Sequence, residues 1–228
     1  MTMNEKVPQC VGVIMDGNRR WAREQELPTF EGHKKGMGNF DVIAHAARDF
    51  GVKHFVVYAL STENWNRSKE EVSYLMELFE TTINDAFLRL KEEGARLHFI
   101  GDLSRFPKKI EDGMRKLEEE TKERDDFHVW ICASYGGRLE IVEAAKELAK
   151  SGEEITEQSL QAHMWSTGMP DPDIIIRTGG AQRLSNFLLW QSAYAELFFT
   201  DTYWPAFTKD DLQDILQQYT ERERRYGK

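Results

Sequence analysis

The sequence predicts a single α/β domain, with a mainly parallel central sheet flanked by helices. Three observations carry that prediction. Short apolar, β-branched runs alternate with longer stretches of helical periodicity along the chain, the order that builds a parallel sheet. The strand-like runs are apolar at nearly every residue, as strands covered on both faces are. No repeat, low-complexity tract or Pro/Ser-rich linker divides the 228 residues, so 1–228 reads as one domain, long enough to bury a core without staples.

Taken in order, residues 10–15 form the first strand-like run, followed by an amphipathic helix over 33–50 that Gly51 closes from the position where left-handed backbone is common. Residues 53–60 are the second strand. Ser68 and Glu71 then have capping-box spacing, and Val72, Leu75, Met76, Phe79, Ile83, Phe87 and Leu90 form one stripe up to Gly94. This predicts one unbroken helix roughly 37 Å long. Strands follow at 96–100, 127–133 and 173–176, and helices at 107–124, 139–151, 156–165 and 208–225.

Composition narrows the function classes. Hydrophobic residues at 40% and charged residues at 30% describe a folded chain rather than a disordered one. Thirty Lys and Arg against 39 Asp and Glu leave a net charge of −9, which argues against broad adhesion to nucleic acid or anionic membrane, so any bound anion needs a local site. Cys10 and Cys132 have neither CxxC nor zinc-ligand spacing, and a reducing cytoplasm is the expected compartment. The first ten residues, MTMNEKVPQC, lack the apolar core of an export signal. The longest apolar run, 55–60, is far short of the roughly 20 residues that span a bilayer, so neither export nor a membrane span is expected.

Ligands of open α/β sheets bind beyond the carboxyl ends of the strands, so residues following each strand are informative. After the first come Asp16, Gly17, Asn18, Arg19 and Arg20; after the second Ser61, Asn64 and Arg67; after the third Asp102 and Arg105; after the fourth Tyr135, Gly136, Gly137 and Arg138; after the fifth Arg177, Thr178, Gly179, Gly180 and Arg183. Every turn carries an arginine. Guanidinium forks hold phosphate oxygens through paired hydrogen bonds, each contributing about 1.5–3 kcal/mol, so a few of them can retain a diphosphate on an acidic chain. The plainer alternative is that the arginines of these five turns are scattered, solvated residues. Asp16 suits a Mg²⁺ that keeps most of its waters and bridges to phosphate, or else it caps the following helix; spacing does not separate the two. Neither TGG nor YGG makes a P-loop or a GxGxxG turn, which removes support for nucleotide binding. The residues alone therefore describe an α/β enzyme acting on a diphosphate.

In these loops the segments VIMDGNRRWA (13–22), GHKKG (32–36), YALSTENWNRS (58–68), YGGR (135–138), IIIRTGGAQRLSNFLLWQSAYAELFF (174–199) and ERRYG (223–227) resemble the cis-prenyltransferase family, typified by undecaprenyl diphosphate synthase. The resemblance implies a sheet of about six strands, a size common among sheets. It implies Mg²⁺-dependent condensation of isopentenyl diphosphate onto an allylic diphosphate, of farnesyl length or shorter, to give a Z-polyprenyl diphosphate. It assigns Asp16 to Mg²⁺ and to departure of the diphosphate, and Gly17, Asn18, Arg19, Arg20 and Trp21 with His33 to the allylic diphosphate. Asn64 and Arg67 are tied to proton removal and phosphate contact, with Ser61 and Trp65 in the same loop. Arg177, Arg183 and Ser185 match the isopentenyl diphosphate pocket. Glu196 matches an acidic residue linked to the metal or to a neighbouring subunit, and Arg225 and Gly227 a C-terminal segment reaching a partner's phosphate site in a homodimer. Ala59, Leu97 and the helix after Ser68 are expected to wall a product tunnel, floored by Phe127. Membrane contact is expected only peripherally, for product release.

Five positions depart from the family pattern: Arg19 where Gly is common, Thr29 for Arg, Ser134 for Asn, and Ala181 with Gln182 for Glu-His or a similar polar pair. They bear on substrate choice and product length. A short-product member or a non-catalytic partner subunit are the alternatives, the latter disfavoured because Asp16, Asn64 and Arg67 are all present. Asp210, Asp211 and Asp214 spell the DDxxD of trans-prenyltransferases, but a single copy behind Thr208 reads as acid residues at the positive end of a helix. His45, His54, His98, His128 and His163 show no catalytic or metal spacing and are expected to be structural.

Overall fold

The computed structural model describes residues 7–221. Strand β1 (Cys10–Ile14) leads into a short helix α1 (Asn18–Glu24) and the long α2 (Thr29–Asp49). Then come β2 (His54–Ser61), α3 (Lys69–Asn84), α4 (Ala86–Glu92), β3 (Arg96–Ile100), α5 (Lys108–Thr121), β4 (His128–Tyr135), α6 (Gly137–Ser151) and α7 (Glu157–Ala162). Strands β5 (Ile174–Arg177) and β6 (Glu196–Phe199) and helix α8 (Lys209–Glu221) complete it. Among the described residues the six strands form one parallel sheet in the order β3-β4-β2-β1-β5-β6. The expected parallel α/β fold is what the structure shows.

Both faces of the sheet are covered, which is why the strands are apolar throughout. Val11, Val13, Phe55, Val57, Leu97 and Val129 pack beneath α2, α3, α4, α5 and α8. Cys10, Ile14, Val56, Cys132 and Ile175 face the other way, against Met169, Phe187 and Leu188. Strand β1 lies between β2 and β5, and the chain winds away from it in opposite directions, so a topological switch point falls at its carboxyl end. Register sets Ile14 beside Arg177, bringing the ends of β1 and β5 level.

Several expectations need correction. The helix after Ser68 is not continuous: it kinks at Asp85, whose φ and ψ are −113° and −79°. Thr81, Thr82 and Asn84 bond their side chains back to the carbonyls of Glu77, Leu78 and Glu80, a competition that bends helices. Helix α2 begins at Thr29 rather than at 33, and α1 precedes it. The two pack closely because Gly32 and Gly36 have no side chain: a Cβ at either would stand 2.1 Å from the carbonyl or carboxamide oxygen of Asn18. Strand β6 was hidden in what reads as an apolar run, and Phe127 just precedes β4. The carboxylates of the DDxxD stretch open α8 as expected, with Asp211 and Thr208 capping each other reciprocally. The last stretch of the expected 208–225 helix lies outside the described residues, as do Arg225 and Gly227.

Candidate active site

A cavity of about 1250 Å³ opens at the carboxyl end of β1. Ordinary ligand clefts hold roughly 300–1,000 Å³, so this one exceeds what a single small ligand needs. Its mouth is polar, lined by Asp16, Arg19, Arg20, Arg67, Arg177 and Arg183, and its depth is apolar, lined by Met37, Ala59, Leu75, Leu78, Phe79 and Phe87.

Asp16 sits directly after β1. Its Oδ2 accepts from Arg177 Nη2 at 2.8 Å, and its Oδ1 accepts from the Gly17 N–H at 2.7 Å and pairs with Arg20 Nη2 at 3.1 Å. Burial alone would raise its pKa, but the Arg177 hydrogen bond and charge, then Arg20 and the Gly17 N–H, outweigh it and hold the carboxyl below its ordinary value. Gly17 takes a φ of 107°, and a Cβ there would meet the Tyr203 ring at 2.7 Å, so only glycine allows this turn. Asp16 thus partners Arg177, which is only 4% exposed. Arg177 Nη1 donates further to the Arg183 carbonyl at 2.5 Å and to Ser185 Oγ at 2.7 Å, while its buried Nε has no partner. Arg20 donates to the Gly179 carbonyl at 2.6 Å and lies over the Tyr203 ring.

On the opposite wall Arg67 donates to Glu71 at 2.8 Å, and Arg19 shares that same carboxylate oxygen at 3.6 Å. His33 lies nearby with a buried, unpartnered Nε2. Burial, then the charges of Arg67 and Arg19, push its pKa down to about 4, leaving it neutral near pH 7. Ser61 and Asn64 cap one another at the start of a short 3-10 turn, Thr62–Asn66, with Asn64 Oδ1 accepting the Ser61 N–H at 3.0 Å. This box holds the loop that presents Arg67.

Three of the five arginine turns therefore converge on one mouth, and two do not. Arg105 stacks over the Trp65 ring at 5.0 Å, and Arg138 sits at the start of α6, its N–H bonded to Asn186. Both follow strands on the far side of β2, away from the switch point. Trp21 and Trp65 lie outside the cavity lining; Trp65 donates to Ser134 Oγ at 2.9 Å and packs on Phe106, pinning its loop from behind. Asn18 supports the site through α1–α2 packing and an Nδ2 bond to the Met15 carbonyl. Glu196 pairs in register with Ile174 at the beginning of β5, whereas Asp16 stands past its end, so one chain does not bring them together. Of the expected tunnel residues, Ala59 lines the cavity, while Leu97 and Phe127 are buried elsewhere and the apolar end is closed by Phe79 and Phe87. Thr29 lines the mouth beside Arg19.

Sequence reasoning missed Tyr58, Glu63 and Asn186, which also line the cavity. Tyr58 is raised above its ordinary pKa, first by burial and then by Glu63, and donates to the carbonyls of Tyr135 and Ser185. All three lie inside the segments that carried the resemblance, the one signal that could have found them.

No group of three His, Cys, Asp or Glu side chains suited to a metal occurs among the described residues. A lone carboxylate nevertheless fits Mg²⁺, which takes one or two protein carboxylates and draws its other ligands from water and phosphate. Asp16 is ionised and at the mouth, and its two oxygens offer about four acceptor sites. Among the described residues no helix is long and apolar enough to cross a membrane.

The chain matches the prenyltransferase family model of undecaprenyl diphosphate synthases over residues 14–227. It is 44% identical over 231 residues to tritrans,polycis-undecaprenyl-diphosphate synthase (geranylgeranyl-diphosphate specific) of Pyrococcus horikoshii, covering 97% of this chain and 88% of that protein. It is 41% identical over 227 residues to isoprenyl transferase of Thermotoga maritima, covering 97% of each. Lavandulyl diphosphate synthase of Lavandula x intermedia, solved with dimethylallyl diphosphate, superposes with a TM-score of 0.94 at 36% identity, over 98% of this chain and all of that one.

Proposed function

Because the chain belongs to the undecaprenyl diphosphate synthase family and is an enzyme of the cis-prenyltransferase type, we propose that it condenses isopentenyl diphosphate onto an allylic diphosphate, with Mg²⁺, to give a Z-polyprenyl diphosphate. The observation that carries this reading is the polarity of the cavity, with guanidiniums gathered around Asp16 at its mouth and mostly apolar side chains, Leu75, Leu78, Phe79 and Phe87, in its depth. A prenyl diphosphate has the same two ends.

The reaction breaks the allylic carbon–oxygen bond, releasing diphosphate, joins that carbon to the terminal alkene carbon of isopentenyl diphosphate, and forms a new double bond as the isopentenyl unit gives up a proton, for which the departing diphosphate is an acceptor at hand. Arg20, with the Gly17 turn and neutral His33, is placed to hold the departing diphosphate. Arg177, Arg183 and Ser185 are placed to hold the isopentenyl diphosphate beside it, Arg177 through its unpartnered Nε. Arg67 adds charge from the opposite wall. Asn64 is an amide and no base at neutral pH; its part is to orient the loop. Asp16 would hold Mg²⁺, which when bound neutralises charge on the leaving group. Phe79, Phe87 and Leu75 exclude water from the growing chain.

A homodimer belongs to the same reading. Leu197 and Phe199 remain 42% and 38% exposed on the edge strand β6, next to Tyr194 at 86%. Sedimentation returning the mass of one chain would remove that part. The test of function is turnover of labelled isopentenyl diphosphate with dimethylallyl, geranyl, farnesyl and geranylgeranyl diphosphates, with Mg²⁺ or with EDTA, followed by chromatography. Elongated Z-products with Mg²⁺ and none with EDTA are expected. Absence of incorporation with every primer overturns the reading. Restriction to dimethylallyl diphosphate would favour a short-product enzyme, the reading that the likeness to the lavender protein supports.

A further inference from the structure

The segment after β5 carries Arg183 and Ser185 in a backbone that ordinarily resists such use. Ser185, Asn186 and Leu188 all have positive φ, at 50°, 69° and 43°, none of them a glycine. Such residues persist only where surrounding contacts over-determine them. Asn186 supplies three of those contacts. Its carbonyl accepts the Gly137 N–H at 2.7 Å and its Oδ1 accepts the Arg138 N–H at 2.9 Å, tying the segment to the first turn of α6. Its Nδ2 donates to Glu63 Oε1 at 3.0 Å, in the loop that carries Asn64 and Arg67. From the neighbouring strand the Tyr58 hydroxyl donates to the Ser185 carbonyl.

We infer that Asn186 is a positioning residue, and that its bond to Glu63 latches the Arg67 loop to the Arg183–Ser185 segment across the cavity mouth, so that the segment proposed to hold isopentenyl diphosphate keeps its place. The argument is geometric. Glu63 and Asn186 lie on different loops, 123 residues apart in sequence, and theirs is the hydrogen bond that joins a side chain of the 62–66 turn to the 183–188 segment among the described residues. On either side of it, Ser185 holds Arg177 and the Ser61–Asn64 box presents Arg67. Asn is also among the few residues that tolerate positive φ while offering both a donor and an acceptor.

The role of the latch rests on the proposed use of Arg177, Arg183 and Ser185 for isopentenyl diphosphate, and its test has an arm that does not. Asn186→Asp keeps the acceptor for Arg138 and the tolerance of left-handed backbone, but sets a carboxylate against Glu63. Adding Glu63→Gln restores a donor on the other side, with the bond reversed. We expect N186D to raise the KM for isopentenyl diphosphate about tenfold, to leave the KM for the allylic diphosphate within about twofold, and to recover in the N186D/E63Q pair. Hydrogen exchange of the backbone amides over 61–67 should quicken in N186D and slow again in the pair, whatever substrate the enzyme uses. Equal loss of both KM values with no recovery in the pair, or unchanged exchange over 61–67, overturns the latch. No incorporation by the wild type combined with rescued exchange would condemn the substrate reading and leave the latch standing.

Discussion

Asp16, the carboxylate proposed for Mg²⁺, bonds Arg177 and pairs with Arg20. Its removal is therefore a structural event as well as a chemical one. Asp16→Ala leaves Arg177, 4% exposed and already with one unpartnered N–H, without its counter-charge. Breaking a buried pair costs 3–5 kcal/mol, and Asp16's partial exposure trims this to about 2 kcal/mol. Asp16→Asn keeps an acceptor for Arg177 and should cost only about 1 kcal/mol, yet should abolish condensation because a neutral amide neither attracts Mg²⁺ nor balances the guanidiniums. Thermal melts with turnover assays check both, and wild-type turnover by D16N would end the metal role. Glu26 shows the opposite case. It occupies the left-handed position of a Schellman turn closing α1, φ 57°, with Leu27 N–H to the Ala22 carbonyl and Glu26 N–H to Arg23. Glu26→Gly should stabilise the fold by about 1 kcal/mol, and a melt no higher than wild type would refute it. At this scale the sequence was legible where a charge follows a strand: Asp16, Arg20, Arg177 and Arg183 could be named in advance. Asn186 and Glu63 were missed, since their value depends on a backbone angle and a loop contact that no spacing encodes.

Among the elements, the kink between α3 and α4 decides the shape of the cavity. The apolar stripe after Ser68 marked the wall correctly, but stripe and kink are independent: the bend comes from Thr and Asn side chains bonding back to their own helix. Past the bend, Phe87 from α4 meets Phe40, Phe79 and Phe99 edge to face, and with Phe79 closes the apolar end. If this end limits the product, shortening the side chain should deepen the tunnel. Phe87→Leu is close enough in volume to cost about 1 kcal/mol and should shift products toward longer chains, read by chromatography with a fixed primer. An unchanged product distribution would place the limit elsewhere. The expected floor, Phe127, does not line the cavity: it just precedes β4, whereas the cavity opens at the carboxyl ends of the strands. Strand order explains the other misreading. An arginine after every strand suggests a ring of five, but β3 and β4 stand away from the switch point, so Arg105 and Arg138 face other work. Strand β6, four residues long and partnered only through β5, has too little pattern to be seen alone.

Across the whole molecule, neutral imidazoles set how stability responds to acid. On the sheet face away from α2, Trp130 stacks on His98 at 3.6 Å and donates its N–H to His54 Nδ1, while His98 bonds His128 and His128 bonds Asp125. Burial first, and then neighbouring His128 with Lys53 or Arg96, push His54 down to about 4 and His98 down to about 3. His33, at the cavity mouth, is likewise held at about 4. Each folded value lies below the unfolded one, so above pH 6.5 these groups are neutral in both states and contribute nothing. As pH falls through 6.5 the unfolded chain takes up protons that the folded chain refuses, and stability is lost progressively down to about pH 4. Discounted for partial exposure, each histidine should cost about 1 kcal/mol by about pH 5. His45 works the other way, because bonds to the Asp41 carbonyl and Glu93 outweigh its burial and raise its pKa, so it offsets part of the loss. The lowered carboxyls of Asp16 and Glu63 titrate further down and do not enter this window. Urea unfolding should thus show a drop of about 2 kcal/mol between about pH 7 and about pH 5. In His54→Gln/His98→Phe, which keeps an aromatic ring against Trp130 but removes both titrating groups, about 2 kcal/mol of the loss is removed and the slope should be nearly flat, His33 and His45 roughly offsetting each other. A wild-type stability unchanged over that interval, or a double variant as steep as the parent, would show that the imidazole stack is protonated without cost in the folded protein.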